Sequence, residues 1–215
     1  MLLTFSFRRQ CFLDTAPTTA ISLLCPSCSQ LLITNSTSGR QQILSTLTNE
    51  GGTENSLDML PHIMEEAYLI AHPGTRKARA FMQYCGEGDI LSIISLLGDE
   101  ENGASESEPS MSTDEILRYQ DPLNGNKSAL HVAVFESQET VAWLLLYLAS
   151  SLSMSIFPPQ VIEEASAHGL VRDEGMIRKV DIRQLKDVDG ETSEQKAQVV
   201  GGVWRAWIAK GLLKC

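Results

Sequence analysis

Two apolar runs separated by a short polar break occupy residues 121 to 148. The first run follows Ser128, whose hydroxyl suits the N-cap of a helix because it can accept an unpaired backbone N–H. Upstream, Asn124 and Gly125 tolerate positive φ and predict a turn. A polar break that begins with Glu136, Ser137 and Gln138 then separates the first run from the second, longer apolar run, Val141 to Leu148. The pattern predicts a turn, a short helix, a tight loop and a longer helix.

The segment Ser128–Ala133 resembles the T-P-L-H-x-A signature of the ankyrin repeat. It departs from that signature at Ala129, where the family has Pro, and Ser137 stands where the family has its inter-helix Gly. The resemblance implies an all-α fold, a short ankyrin-like solenoid of about 3–4 helix-turn-helix repeats with a disordered N-terminal tail. It also implies structural roles for Ser128, as the cap, and for His131, whose ring would tie this cap to the adjacent loops.

One repeat cannot bury its own apolar faces, so the resemblance requires neighbouring repeats. The segment Gly88–Leu97 repeats the loop and second helix, with Gly88 at the inter-helix position, and Arg76–Glu87 is the expected first helix. Near the C-terminus, Asp187–Gly202 again predicts a turn, a cap and a helix, with Gly201 at the family's later glycine position. We therefore expect partial repeats on both sides of the central one.

The spacing of these units suggests the domain organisation. Gly88 and Ser137 lie further apart than the family period of about 33 residues, and the excess coincides with the acidic segment Asp99–Thr113. We interpret that segment as a loop insertion. The prediction is an ankyrin-repeat domain over residues 57–215, preceded by a disordered or non-domain segment over residues 1–56.

The sequence does not decide the structure of the segment between the central and C-terminal units. Ser137 and Gly201 are about two periods apart, with Gly169 midway. Residues 158–185 are therefore either a decayed repeat, with its second helix over residues 172–180, or an insertion. Beyond them, the segment Trp204–Leu213 is predicted to be the closing helix.

The N-terminal 56 residues are rich in Ser, Thr, Leu and Gln and show no sustained period. Arg8 and Arg9 follow the first apolar residues instead of preceding them, which disfavours an export signal. The later apolar pieces are too short to span a bilayer. We expect a cytoplasmic or nuclear protein without membrane attachment. A mitochondrial presequence remains the alternative, because Arg8, Arg9 and Arg40 stand among many hydroxyl residues.

Charge narrows the class of partner. The chain carries 17 basic and 27 acidic residues, a formal net charge of −10. Nucleic acid is disfavoured as a partner, since neutralising phosphates needs clustered Lys and Arg. Seven carboxylates and no basic side chain fall within residues 99–115, so we expect this segment to be a solvated loop that acts, if at all, through long-range electrostatics.

Cys25-Pro-Ser-Cys28 is the sharpest short motif. A thioredoxin-like function would need a strand before it and a helix starting at the first Cys. A zinc site would need a second pair of ligands. Cys11, Cys85 and Cys215 are scattered and supply no recurring spacing. A thiol-redox or zinc-binding protein built on this motif is therefore kept as an alternative function.

Neither a phosphate-binding Gly loop nor a nucleophile elbow occurs in the sequence. We therefore expect a protein–protein interaction module, an ankyrin-repeat scaffold or adaptor without catalytic activity, cofactor or metal, whose partner is another protein. A regulatory subunit of an enzyme complex is a further alternative. The candidate binding residues are Asn124, Asn126, Lys127, Phe135, Glu136, Gln138 and Trp143. For Trp143 two explanations remain open, since either other parts of this chain or a partner would cover it.

Overall fold

Helices form where apolar residues recur with helical spacing, and strands form in the Ser- and Thr-rich N-terminal segment. The structure, a computed structural model, describes residues 14–49, 52–98, 111–172, 175 and 179–215. The helices are α1 (Ala16–Ser22), α2 (Leu60–Ala71), α3 (Arg76–Glu87), α4 (Ile90–Gly98), α5 (Thr113–Leu117), α6 (Ala129–Phe135), α7 (Glu139–Ala149), α8 (Pro159–Ala167), α9 (Ser193–Val200) and α10 (Trp204–Ala209). No helix in this part of the chain combines the length and apolar character that crossing a bilayer requires.

Among the described residues, three antiparallel sheets of two strands each accompany the helices. The strands are β1 (Thr34–Asn35), β2 (Gln41–Gln42), β3 (Leu44–Asn49), β4 (Gly52–Asp58), β5 (Gln120–Asp121) and β6 (Lys127–Ser128). In the longest ladder Leu44 pairs with Asp58 and Asn49 with Gly52. The fold is therefore mixed.

The chain forms two compact units, Met1–Pro73 and Gly74–Cys215. In the first, α1 packs on α2, and the core consists of Ala16, Ile43, Met59 and Ile63. Asp58 joins the β3–β4 hairpin to α2, because its Oδ1 accepts the backbone N–H of Ile43 at 3.0 Å and of Leu60 at 3.1 Å. The division after Pro73 follows from this packing, and the expected domain boundary at residue 57 stays a prediction.

In the second unit three helices lie side by side in the order α3, α6 and α9, and each contacts the helix that follows it along the chain. The loops at the first two helix junctions turn through Gly88, with φ 77°, and Ser137, with φ 60°. A single core runs through the unit, and its largest fully buried side chains include Trp204, Phe81 and Ile93. Helix α8 packs on α7.

The expected all-α solenoid with a disordered N-terminal tail is wrong. The described residues from 14 to 58 form a helix and two hairpins. This segment lacks a helical period because much of it forms strands, and strands are stabilised by cross-strand pairing instead of by a repeat. The segments between the helix pairs also differ from one another in length and content, so they supply no regular repeat.

Residues 99–110 of the expected acidic insertion lie outside the described residues. The C-terminal end of the expected insertion is described: Ser112 caps α5 through a capping box with Glu115, and Thr113 is buried. Helix α5 therefore begins at the last residue of the predicted insertion. Most of the second helix expected over residues 172–180 also lies outside the described residues, and the closing helix ends at Ala209 instead of Leu213.

Candidate protein-binding surface

The hairpin β5–β6 presents the central turn, residues 121–128. Asp121 Oδ1 accepts the backbone N–H of Leu123 at 3.0 Å and a guanidinium N–H of Arg79 at 2.5 Å. Gly125 and Asn126 both have positive φ, 63° and 54°, which Gly and Asn adopt at low cost. The local sequence therefore sets the turn, and Arg79 of α3 fixes it from the neighbouring helix pair.

A second turn, residues 186–192, is hydrogen-bonded directly to the first. The backbone N–H of Val188 donates to the carbonyl of Gly125 at 2.9 Å. The amide of Gln120 donates to the carbonyls of Asn126 at 2.8 Å and Lys186 at 2.6 Å. The Val188–Gly125 bond joins the two main chains, and the Gln120 side chain bonds to both turns, so the two turns form one hydrogen-bonded edge.

His131 lies beneath this edge and is almost fully buried. Its Nε2 lies 3.0 Å from the carbonyl oxygen of Glu191, and its Nδ1 lies 2.7 Å from Ser128 Oγ and 3.3 Å from Ser128 N. A carbonyl only accepts, so Nε2 must carry the proton and Nδ1 accepts from Ser128. The neutral imidazole thus links the cap of α6 to the next turn. Burial lowers its pKa, against a smaller opposing effect from the Glu191 carbonyl.

Replacing His131 with alanine is expected to lower the free energy of unfolding by about 1–3 kcal/mol, because Ser128 and the Glu191 carbonyl lose their buried partner. The wild type should also lose stability as pH falls below about 6.5, since the unfolded chain then binds a proton that folded His131 resists. Urea denaturation of both proteins across pH 5 to 8 measures both effects.

His168 is exposed and provides the control: His168→Ala should change stability by no more than about 0.5 kcal/mol. Equal stability of the His131→Ala variant and the wild type at pH 7 would contradict the structural role of His131.

Phe135, in the last turn of α6, is 61% exposed. The Lys127 ammonium lies 5.3 Å from its ring centroid and is also within 3.3 Å of Asn124 Oδ1. A cation over an aromatic face is attractive, so Lys127 restricts the ring while leaving most of it in solvent. Asn124, Asn126 and Glu136 are exposed beside it. Five of the sequence-predicted residues therefore lie on or next to the same turn and helix.

Gln138 is placed differently. Its amide donates to the carbonyl of Gly86 at 2.9 Å, and its side chain covers Gly88 so closely that a Cβ at that glycine would collide with it. Gln138 therefore connects neighbouring helix pairs, and Gly88 is required both for its positive φ and for this contact. Gly201 is buried, also has positive φ, and ends α9.

Trp143 is covered by this chain itself. Its ring centroid lies 4.4 Å from that of Trp207 and 6.2 Å from that of Phe157. The sequence left open whether this chain or a partner covers Trp143, and in the structure side chains of the same chain cover it. Trp143 is part of an aromatic cluster and not of the exposed surface.

Sequence reasoning missed three exposed apolar side chains on the two turns and on α9: Leu123, Val188 and Val199 are 39%, 67% and 84% exposed. Val199 follows its cap, Thr192, at the same interval at which Phe135 follows Ser128, and the two helices pack together. That equal spacing could have identified Val199 as an exposed residue from the sequence. We call the resulting set the turn-and-helix surface: Leu123, Asn124, Asn126, Lys127, Phe135, Glu136, Val188 and Val199.

Asp187, Asp189 and Glu191 are the one group of three or more metal-ligating side chains that the described residues bring within reach of each other. Lys196 already occupies their centre. Its Nζ lies 2.9 Å from Asp187 Oδ2 and 3.6 Å from Asp189 Oδ2, and it also pairs with Glu191. Hydrogen bonds to Glu191 and Asp187, with the charges of both carboxylates, raise the pKa of Lys196. The cluster therefore has an internal cation and serves to hold the second turn.

Comparison of the chain with protein-family models, with curated proteins and with solved structures gave no match.

Proposed function

We propose that the unit Gly74–Cys215 binds another protein through the turn-and-helix surface. The observation that carries the proposal is Phe135, an aromatic side chain 61% exposed in the last turn of α6. Aromatic residues dominate the hot spots of protein interfaces. A side chain already held by Lys127 loses little conformational freedom when a partner covers it.

Other exposed residues of the two turns and of α9 support the same proposal. Leu123, Val188 and Val199 add exposed apolar area, while Asn124 and Asn126 add exposed amides. Protein interfaces usually combine an apolar core with a polar rim. The resemblance of Ser128–Ala133 to an ankyrin repeat also favours protein binding, since proteins of that family commonly contact partners through turn tips and first helices.

The charge of the chain suggests a partner with a basic surface. Seven carboxylates and no basic residue fall within residues 99–115, and of the seven Asp114 is paired with Arg118 and Lys179 from outside that range. Such a segment speeds association with positively charged proteins and repels acidic ones. Capture of the partner should therefore weaken as ionic strength rises above about 0.1 M, where the Debye length is about 10 Å. An adaptor or a regulatory subunit in the cytoplasm or nucleus fits this proposal equally well.

Phe135→Ser is expected to weaken partner binding by about 30-fold, the equivalent of a 2 kcal/mol hot spot, and to leave stability within about 0.5 kcal/mol of the wild type. Leu91→Ser is the matched control, because Leu91 is an apolar residue 70% exposed on α4, outside the turn-and-helix surface. The measurement is affinity capture from cell extract with the wild type and both variants, followed by titration of the captured protein.

A photo-crosslinking amino acid placed at position 135, and for comparison at position 91, gives an independent readout. Crosslinks should form at position 135 and not at position 91. A partner that binds the Phe135→Ser variant as tightly as the wild type, or that crosslinks only from position 91, would refute the proposed surface.

A further inference from the structure

Cys25 and Cys28 are brought together by a tight hairpin in the first unit. Leu24 and Leu31 form an antiparallel bridge. Inside it the backbone N–H of Cys25 donates to the carbonyl of Gln30 at 2.8 Å, and that of Ser29 donates to the carbonyl of Cys25 at 2.9 Å. Both cysteines therefore belong to the same closed turn.

The two thiols have unlike environments. Cys25 is 1% exposed, whereas Cys28 is exposed to solvent. Burial by itself raises the pKa of the Cys25 thiol, but hydrogen bonds from the backbone N–H groups of Cys28 and Ser27, and from the Cys28 thiol, outweigh burial and lower it. The closed turn holds the two cysteines three residues apart, and the hydrogen bonds favour a thiolate on Cys25.

The other described cysteines lack this combination of a neighbouring thiol and a lowered pKa. Cys85 is fully buried in the apolar core, and burial raises the pKa of its thiol. Cys215 is exposed, the pKa of its thiol is raised, and it too is free. The Cys25–Cys28 pair thus combines an accessible sulfur with a stabilised thiolate close to it.

A metal fits this pair less well. A structural zinc ion takes four protein ligands. Among the residues that the structure describes, neither Cys25 nor Cys28 belongs to a group of three or more metal-ligating side chains. Two sulfurs would leave half of the zinc coordination unfilled, so the geometry favours thiol chemistry.

We propose that Cys25 and Cys28 form a reversible dithiol–disulfide site that is oxidised by low-molecular-weight disulfides of the glutathione class. The exposed Cys28 thiolate attacks one sulfur of the oxidant, forming a mixed disulfide and releasing one glutathione thiolate. The Cys25 thiolate then attacks Cys28 Sγ, forming the Cys25–Cys28 bond and releasing the second glutathione thiolate. The two electrons lost by the cysteines reduce the oxidant to two thiols.

The experiment incubates the full chain in reduced and oxidised glutathione mixtures at pH 7, quenches with acid, alkylates free thiols and maps the peptides by mass spectrometry. The peptide holding Cys25 and Cys28 should lose two hydrogens, keep no glutathione and return to the dithiol on reduction. Cys25→Ser should retain one glutathione on Cys28. Cys28→Ser should leave Cys25 reduced, since its sulfur is buried. The control, Cys215→Ser, should oxidise at the hairpin like the wild type.

A pH series adds a readout that proximity alone would not produce. In the wild type, loss of glutathione from Cys28 should reach its maximum rate below the pH at which ordinary thiols ionise. Three outcomes overturn the proposal: both cysteines remain alkylatable in oxidising mixtures, glutathione stays on Cys28 of the wild type, or the purified chain binds zinc stoichiometrically through this pair and the metal blocks oxidation.

Discussion

Trp204→Ala is expected to lower the free energy of unfolding of the second unit by about 3–5 kcal/mol, the cost of removing a large aromatic side chain from a packed core. Trp204 is fully buried at the start of α10, and its ring centroid lies 5.0 Å from that of Trp207 in an edge-on arrangement. Trp207 in turn contacts Trp143. The cavity would therefore also remove support from α7. Urea denaturation followed by far-UV circular dichroism measures the loss.

Trp204→Phe tests the physical origin of that loss. Among the described residues the indole N–H of Trp204 is a buried donor without a hydrogen-bond partner, and leaving such a group unpaired costs about 1–3 kcal/mol. Phenylalanine removes the donor and keeps most of the ring area, so its loss should be much smaller than that of alanine. Val199→Ala, at a position 84% exposed, is the control and should be nearly neutral. A Trp204→Ala protein within 1 kcal/mol of the wild type would contradict the packing of α10.

Asp181→Ala is the second change with a large expected effect, about 3–5 kcal/mol, because it leaves the charge of Arg183 buried and unpaired. Both side chains are 6% exposed, and Arg183 Nη2 lies 2.7 Å from Asp181 Oδ2. Asp181 Oδ2 also accepts the backbone N–H of Ser151 at 2.7 Å, and Arg183 donates to the carbonyl of Lys214 at 2.5 Å. This pair therefore ties the end of α7 to the C-terminus.

A double variant distinguishes the contribution of the Asp181–Arg183 ion pair from the cost of leaving one of its charges unpaired. Asp181→Leu with Arg183→Met removes both charges, and it should be less destabilised than Asp181→Ala, since no unpaired charge remains. If the double variant loses as much free energy of unfolding as the two single variants together, the unpaired charge is not the cause of the loss.

The same pair predicts a dependence on pH. Burial acts to raise the pKa of Asp181, but hydrogen bonds from the Arg183 side chain and from the Ser151 and Arg183 backbones, with the charge of Arg183, lower it to about 2. An unfolded Asp has a pKa of about 3.9. As pH falls from about 4 to 2, the unfolded chain takes up the proton first, and the folded state loses about 2 kcal/mol of stabilisation. The stability gap between wild type and Asp181→Asn should therefore narrow over that interval.

Local sequence determined the caps, the turns and most helices of the second unit. Ser128 and Thr192 occupy the N-cap positions of α6 and α9 as the sequence predicts, with His131 and Gln195 accepting their backbone N–H groups. Gly88 turns the chain where a left-handed residue was required, because that conformation is set by one residue and its neighbours. The resemblance to the ankyrin repeat implied that Phe135 stands at an exposed position of its helix, and the equal spacing of Val199 from Thr192 should have identified Val199.

What the sequence could not supply depends on contacts between distant residues. The hairpin of β3 and β4 has no helical period to reveal it, and its stability comes from pairing such as Leu44 with Asp58. Trp143 and Gln138 carry no local mark that distinguishes a partner contact from an internal one. Tertiary packing decided both, through Trp207 and Phe157 for the ring and through the Gly86 carbonyl for the amide. Burial is a property of the whole fold, so the exposed surface could be read only after the helices and turns had packed.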